Sequence, residues 1–303
     1  MTNTDRPPVV VAVDGQPGSA GALRYAVDEA VRAGESLHLV HVRPGGPAQD
    51  LVPTVTWGER EAAGRAVLDH AYASARRLAP GLDITTELAV GPRAAEILSA
   101  ARGGRLLLVG RTPHRVESPF GGTPAGLAAR ASCPVVVVPA TWQAAPTSGL
   151  VVVGMKTRTH ARELLSHAFA VADSRDAALV VVTAWELYDP AMDREEAGEH
   201  ASEWEAEGRQ VLRGIVGEWS DRCPSVPVDL RIVHGRAASV LEHASAEADL
   251  LLLAKHQHLV PPYGRLGRTA HALLRTSRCP VEVVPAGVVA ELHSRRPALA
   301  VRA

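Results

Sequence analysis

Residues Leu106 to Ala140 read LLLVGRTPHRVESPFGGTPAGLAARASCPVVVVPA. An apolar run, Leu106–Val109, leads into a Gly/Pro-containing loop, an Ala/Leu-rich stretch from Thr123 to Ala131, and Cys133-Pro134 before a second apolar run, Val135–Val138. The same order returns from Asp249 to Ala286 as DLLLLAKHQHLVPPYGRLGRTAHALLRTSRCPVEVVPA. Short apolar runs bounded by turn residues read as strands buried on both faces, with a helical crossover between them. Two copies in one chain mean duplication, and the loop between strand and helix is where each unit would hold a ligand.

Working outward, Val9–Val13 is a β-branched strand ended by Asp14-Gly15, and Gln16–Ser19 is turn chemistry. Ser19 is a candidate cap for a helix running to about Ala33, where Gly34 stops it. Leu37–Val42 is a second strand. His38 and His41 lie an odd number of residues apart, so they face opposite sides of the sheet and read as satisfied strand histidines, not joint metal ligands. A loop (Pro44–Pro53), a helix (Trp57–Leu78) and a third strand (Ile84–Val90) follow. Gly91-Pro92 then introduces a helix from Arg93 to Ala101.

After the linker Trp142–Ser148 the order restarts: strand Val151–Val153, helix Thr159–Ala172 capped by Thr157 or Thr159, and strand Leu179–Ala184. A helix Ser202–Trp219, a strand Val228–Val233, a helix Ala237–Ala246 and the strands Leu250–Leu253 and Val281–Val284 complete it. This alternation predicts an α/β fold of two doubly wound, parallel-sheet, three-layer sandwiches in tandem. The expected domains are residues 1–145 and 146–287, with 288–303 as a tail. Ligands on such sheets sit beyond the carboxyl ends of the strands where strand order reverses, which places Asp14 and Gly110 near any ligand.

The chain has 303 residues, 46% of them hydrophobic and 21% charged, as in folded globular proteins. Lys plus Arg number 32 against 33 Asp plus Glu, so no overall field draws in nucleic acid or an anionic membrane, and neither is expected as a partner. Cys133 and Cys279 hold matching places in the repeats; they read either as a reactive or metal-binding pair or, more simply, as small buried residues. With no spaced disulfide set, no signal-peptide pattern and no apolar run of about 20 residues, a cytoplasmic location is expected. Asp249 reads as capping a turn at the sheet end opposite the site. Trp57, Trp142, Trp185, Trp204 and Trp219 read as packing residues in helices and loops.

Taken together these features resemble the universal stress protein family in its tandem form. The resemblance rests on VAVDGQPGSAGALRYA, Val90-Gly91-Pro92 and SCPVVVVPA in the first half, with VHGRAASVLEHASAEADLLLLAKH and RCPVEVVPA in the second. It implies the adenine nucleotide alpha hydrolase-like form of the fold. Some members of that family bind ATP through an Asp after the first strand and a pattern G-x-x-G-x9-G-S/T after the fourth; others lack the pattern and bind none. Glycines admit phosphates to the backbone, and a helix N-terminus meets their charge. By resemblance the candidate nucleotide-binding residues are Asp14, Val42 and Gly110. Gly121 and Gly122 stand at the third glycine and hydroxyl positions, or Gly122-Thr123 form the G-S/T pair. Pro113 replaces the second glycine and the loop is short, with Arg111, His114 and Arg115 available as charge for phosphate.

In the second half Ala254, Gln257 and Gly267-Arg268 replace the pattern, and Lys156 stands where Asp14 stands. Lys156, Lys255, His256, His258, Arg265 and Arg268 suggest a basic mouth, either an anion site or a solvated loop. ATP in the first domain is thus the candidate cofactor, and no metal is expected. No phosphate loop, nucleophile elbow or paired general base nominates an enzyme, beyond at most slow ATP hydrolysis. The expected function is a stress-response sensor or regulator; the alternative is a scaffold of the same fold that binds protein partners and no nucleotide. In the family the fifth strands of two domains associate, so the two halves are expected to pair within the chain. Further homo-oligomerisation and the identity of protein partners are left open.

Overall fold

The apolar runs become the strands of one sheet. In the computed structural model, which describes residues 6–45, 56–111, 123–143, 147–156, 161–187, 189–255 and 266–287, the first half runs β1 (Val9–Ala12), α1 (Pro17–Ala33), β2 (Leu37–Arg43), α2 (Trp57–Leu78), β3 (Ile84–Val90), α3 (Arg93–Ala100), β4 (Leu106–Arg111), α4 (Thr123–Arg130) and β5 (Val135–Pro139). The second repeats the order: β6 (Leu150–Gly154), α5 (Ala161–Ser174), β7 (Ala178–Trp185), α6 (Pro190–Arg222), β8 (Val228–His234), α7 (Ala237–Ala244), β9 (Leu250–Ala254), α8 (Arg268–Thr276) and β10 (Val281–Val284).

Strand order is β3-β2-β1-β4-β5-β10-β9-β6-β7-β8. Each half is parallel and doubly wound, and the two sandwiches share a single ten-stranded sheet because β5 and β10 pair antiparallel, Glu282 opposite Val136. That pairing turns two apolar edges into an interior. The strands at the centre are buried on both faces. One apolar layer lies under α1, α2, α5 and α6, with Ala26, Leu68, Phe169 and Val216 among its members. The other lies under α3, α4, α7 and α8, with Ile97, Leu127, Leu241 and Leu273.

The seam is polar as well as apolar. Arg175, at the end of α5, donates to the Tyr25 hydroxyl (2.6 Å) and to the Glu29 carboxylate on α1. Trp142 packs edge-on to Tyr25 with ring centroids 5.2 Å apart. Burial pushes the Tyr25 hydroxyl well above its ordinary range, so it stays neutral and serves as an acceptor for Arg175.

Several local expectations change. Ser19 does not cap α1: Gln16 is the capping residue, without a side-chain bond, and Ser19 lies inside the first turn with its hydroxyl donating to the Gln16 carbonyl at 2.9 Å. Pro17 at the first helical turn starts that helix instead. Helix α6 begins twelve residues earlier than Ser202, at Pro190, because Asp189 accepts from the amides of Ala191 and Met192 as a cap. Trp185 closes strand β7 rather than sitting in a helix or loop. Trp57, at the start of α2, is 60% exposed and packs with its ring under the Arg43 guanidinium at 3.9 Å.

His38 meets Thr85 and Glu87 on the neighbouring strand, and His41 Nδ1–H donates to the Val13 carbonyl at 2.7 Å, so both strand histidines are satisfied. Asp249 accepts from the amides of Ser148, Gly149 and Leu150, fixing the turn into β6 at the amino end of the sheet.

Candidate functional site

Strands β1 and β4 are neighbours, with Ala12 opposite Val109, and α1 and α4 leave them on opposite faces. This is the strand-order reversal of the first half, and a cavity of about 120 Å³ opens there. Val40, Val42, Val109, Ile97 and Leu127 supply its apolar walls, while Asp14, Ser19, Arg93 and Thr123 add polar groups. Of the sequence candidates among the described residues, Asp14, Val42, Gly110 and Thr123 all line it.

Each side chain has a local reason for its place. Asp14 follows β1 in a turn in which its Oδ1 accepts the Gln16 amide at 3.0 Å, and its Oδ2 accepts from no described residue. One carboxylate oxygen therefore fixes the turn and the other remains for a ligand donor. Thr123 and Pro124 open α4 at the cavity wall; Pro124 has no amide hydrogen, so the helix offers its positive end and its remaining free amides to negative charge.

Gly110 is needed for a different reason from the one its pattern suggests. A Cβ on it would lie 2.1 Å from the Gly18 carbonyl oxygen, because the first turn of α1 crosses β4 at this point. Its glycine is a packing requirement between strand and helix before it is a phosphate contact.

Gly121 and Gly122, together with Pro113, His114 and Arg115, lie outside the described residues, as do His256, Gln257, His258, Arg265, Thr157 and Thr159. Arg111 lines the cavity, but its guanidinium does not wait for phosphate. It crosses the seam and donates to the carbonyls of Ser277 (2.8 Å) and Leu274 (3.3 Å) at the end of α8. Lys255, the matching residue after β9, donates across the seam to the Ala131 carbonyl at the end of α4 (3.2 Å). Burial pulls both cations below their usual range. Of the basic mouth expected in the second half, Lys156 and Arg268 are exposed and Lys255 is turned into the seam.

The second half packs the matching place differently. Gly154 lies opposite Leu253 as Ala12 lies opposite Val109. At Gly154 a Cβ would meet Leu241 Cδ1 at 2.7 Å and Leu253 Cδ2 at 2.8 Å, so two leucines take the room that the Ala12 methyl has in the first half. Sequence reasoning missed Ile97, Leu127 and Arg93 as wall residues. Setting the two repeats side by side offers a signal for the first, Ile97 against Leu241.

The geometry defines a class: a duplicated, doubly wound α/β protein with an open slot at one strand-order reversal and two leucines packed over a glycine at the other. Residues 6–139 and 149–285 each match the model of the Universal stress protein family, and the chain belongs to that family. It is 28% identical over 285 residues to a universal stress protein of Mycolicibacterium smegmatis, a match covering 91% of this chain and 96% of the relative. A universal stress protein of Mycobacterium tuberculosis is 26% identical over 285 residues with the same coverages, 91% and 96%. The crystal structure of a universal stress protein from Archaeoglobus fulgidus is similar in fold, with a TM-score of 0.68 at 16% identity over 92% of this chain and 98% of that one.

Proposed function

We propose that this tandem universal stress protein acts in a stress response as a sensor or regulator that binds ATP in its first half, while the second half has given up nucleotide. The observation that carries this reading is the contrast between the two strand-order reversals. The first keeps an apolar slot, an acceptor at Asp14 and the amino end of α4; the second packs Leu241 and Leu253 over Gly154 and presents Lys156. The slot suits a flat heteroaromatic ring, Asp14 suits the hydroxyls or amine of a nucleoside, and the α4 amides suit phosphate. Gly121 and Gly122 belong to the same proposed site. The protein is read as a binding module located in the cytoplasm, not as a catalyst, with no metal required.

A second reading, a scaffold without nucleotide, is favoured by one finding: Gly110 and Arg111, two features that nucleotide binding would use, already have structural duties against Gly18 and α8. Calorimetric titration of ATP into the nucleotide-stripped protein separates the two. Single-site binding weakened about tenfold to a hundredfold by Asp14→Ala, the scale of one lost ligand hydrogen bond, and untouched by Lys156→Ala is the expected result. No heat at millimolar ATP from folded protein would establish the scaffold.

A further inference from the structure

Arg111 has two positions in the architecture at once. Its backbone is the end of β4, immediately after Gly110 and in the wall of the first-half cavity; its guanidinium is the cation at the carboxyl end of α8, in the second half. The acceptors it holds there are carbonyls of the last turn of α8, where the helix's own amides run out and a cation is favoured. These partners are neutral, one of the two bonds is long at 3.3 Å, and the guanidinium is partly stripped of water. A phosphate oxygen, which carries full negative charge and can be held by two guanidinium N–H groups at once, is a stronger partner for a guanidinium than a neutral carbonyl.

The reciprocal tie adds a second link. Helix α4 begins at the cavity with Thr123 and ends at Arg130, and the carbonyl of the next residue, Ala131, holds Lys255 of the second half. An anion at the amino end of α4 and the ammonium at its carboxyl end both complement the helix dipole, so the two contacts reinforce each other.

We infer that the second half is the readout of the first-half site, with Arg111 as the shared element: an anionic ligand in the cavity takes the guanidinium from the Leu274 and Ser277 carbonyls and loosens the last turn of α8. This rests on the reading of the cavity as a nucleotide site and adds to it a direction of signalling. Occupancy in the first half becomes a local change on the second half, on the face of the sheet that carries α3, α4, α7 and α8. Because linkage is reciprocal, whatever holds the end of α8 in place lowers affinity for the anion, and whatever releases it raises affinity. The degenerate half then has a function that needs no ligand of its own.

Amide hydrogen exchange on the full-length protein tests this, with ATP and adenosine as separate probes. Adenosine should protect the cavity walls around residues 12–20 and leave α8 unchanged. ATP should protect the same walls and speed exchange at residues 273–279 by about tenfold or more, as expected when a charge-assisted cap is withdrawn. In Arg111→Gln, exchange at 273–279 should already be fast without ligand, and ATP should add nothing. Arg111→Lys, which keeps the charge, guards against a variant that merely unfolds and should give an intermediate pattern. ATP that protects the cavity while residues 273–279 exchange as before would overturn the coupling and leave the nucleotide site standing. ATP that protects nothing in folded protein would overturn both.

Discussion

The two halves have the same strands in the same order, yet they treat one small volume in opposite ways. In the first half Ala12, Val109 and Ile97 line an open slot; in the second Leu253 and Leu241 pack closely over Gly154. The strand residue at the centre is smaller in the second half, and two leucine side chains take up the room it leaves. The exposed rim diverges in parallel, from the Asp14 carboxylate to the Lys156 ammonium, which removes an acceptor and reverses the charge. Duplication preserved what the sheet needs and released what the pocket needs. The joint between the halves diverged as well: Val136 of β5 faces Glu282 of β10, equivalent places holding an apolar side chain and a carboxylate.

That last asymmetry carries the largest effect. Glu282 is 3% exposed and accepts from His167 Nε2 at 2.6 Å. Burial alone would raise its carboxyl, but His167, Arg175 and Arg105 outweigh burial and hold it below the usual carboxylate range. Removing one member of a buried pair costs about 3–5 kcal/mol, so Glu282→Ala should lose about that much in urea unfolding, whereas Val136→Ala should lose about 1–2 kcal/mol by the loss of buried methyl groups. The pH dependence has a definite sign. A carboxyl with a depressed folded-state pKa contributes stability above its unfolded value, roughly pH 4.3, and the contribution disappears as pH falls through the lower folded value. Wild type should therefore weaken on acidification through that window more than Glu282→Gln does. Equal slopes for the two proteins would remove Glu282 from the account of the seam.

The next comparison sets Gly110 against its counterpart Ala254. Gly110→Ala places a methyl against a backbone carbonyl that no rotamer change can relieve, so β4 and α1 must separate; a loss of about 2–3 kcal/mol is expected. Ala254→Gly at the matching strand end should change stability by less than about 1 kcal/mol. Chemical denaturation midpoints of the two variants measure the difference directly. A well-tolerated Gly110→Ala would mean that the close approach to Gly18 relaxes at little cost, and the glycine would have to be explained by a ligand instead.

Wall volume is tested by making the first half resemble the second. Val109→Leu introduces the residue of the second half, and nucleotide affinity should fall about tenfold, near 1.4 kcal/mol, with little change in folding. The reverse change, Leu253→Val, should not confer binding, because Leu241 still packs over Gly154 and Lys156 still replaces the acceptor. Titration of both variants beside wild type distinguishes a site set by volume from one set by charge. Undiminished binding by Val109→Leu would place the ligand elsewhere.

The strands, their order and the duplication were legible because buried parallel strands are continuous apolar runs and need no partner in sequence to be recognised. The pairing of the two halves followed from resemblance and from the apolar edge at Val135–Val138, while its antiparallel sense came only with the structure. What was not legible has physical causes. Helix α6 starts in an acidic stretch without apolar periodicity, and its signal was Asp189-Pro190 alone. A glycine demanded by a neighbouring carbonyl looks the same in sequence as one demanded by phosphate, which hid the duty of Gly110. Arg111 and Lys255 read as free charge because their acceptors are backbone carbonyls, 163 and 124 residues away, that leave no mark on composition. The different packing at the second reversal turns on one or two carbons in residues that all count as apolar, below what a hydrophobic pattern resolves.

The smallest predicted effect concerns how α1 and α5 end. Both helices stop in the same motif: the amide of Glu35 reaches back to Ala30 and that of Ala177 to Ala172, each following a residue with positive φ. In the first half that residue is Gly34, φ 66°, for which the left-handed region is free of strain. In the second it is Asp176, φ 53°, whose Cβ is penalised there. Asp176→Gly should raise stability by about 0.5–1 kcal/mol, the relief of left-handed strain less the greater freedom of glycine in the unfolded chain. Gly34→Asp should lower it by a similar amount. Midpoints in urea at neutral pH measure both, and opposite signs are the requirement. Should Asp176→Gly destabilise, the aspartate side chain would be making a local hydrogen bond worth more than the strain, and the second half would have replaced a flexible stop with a bonded one.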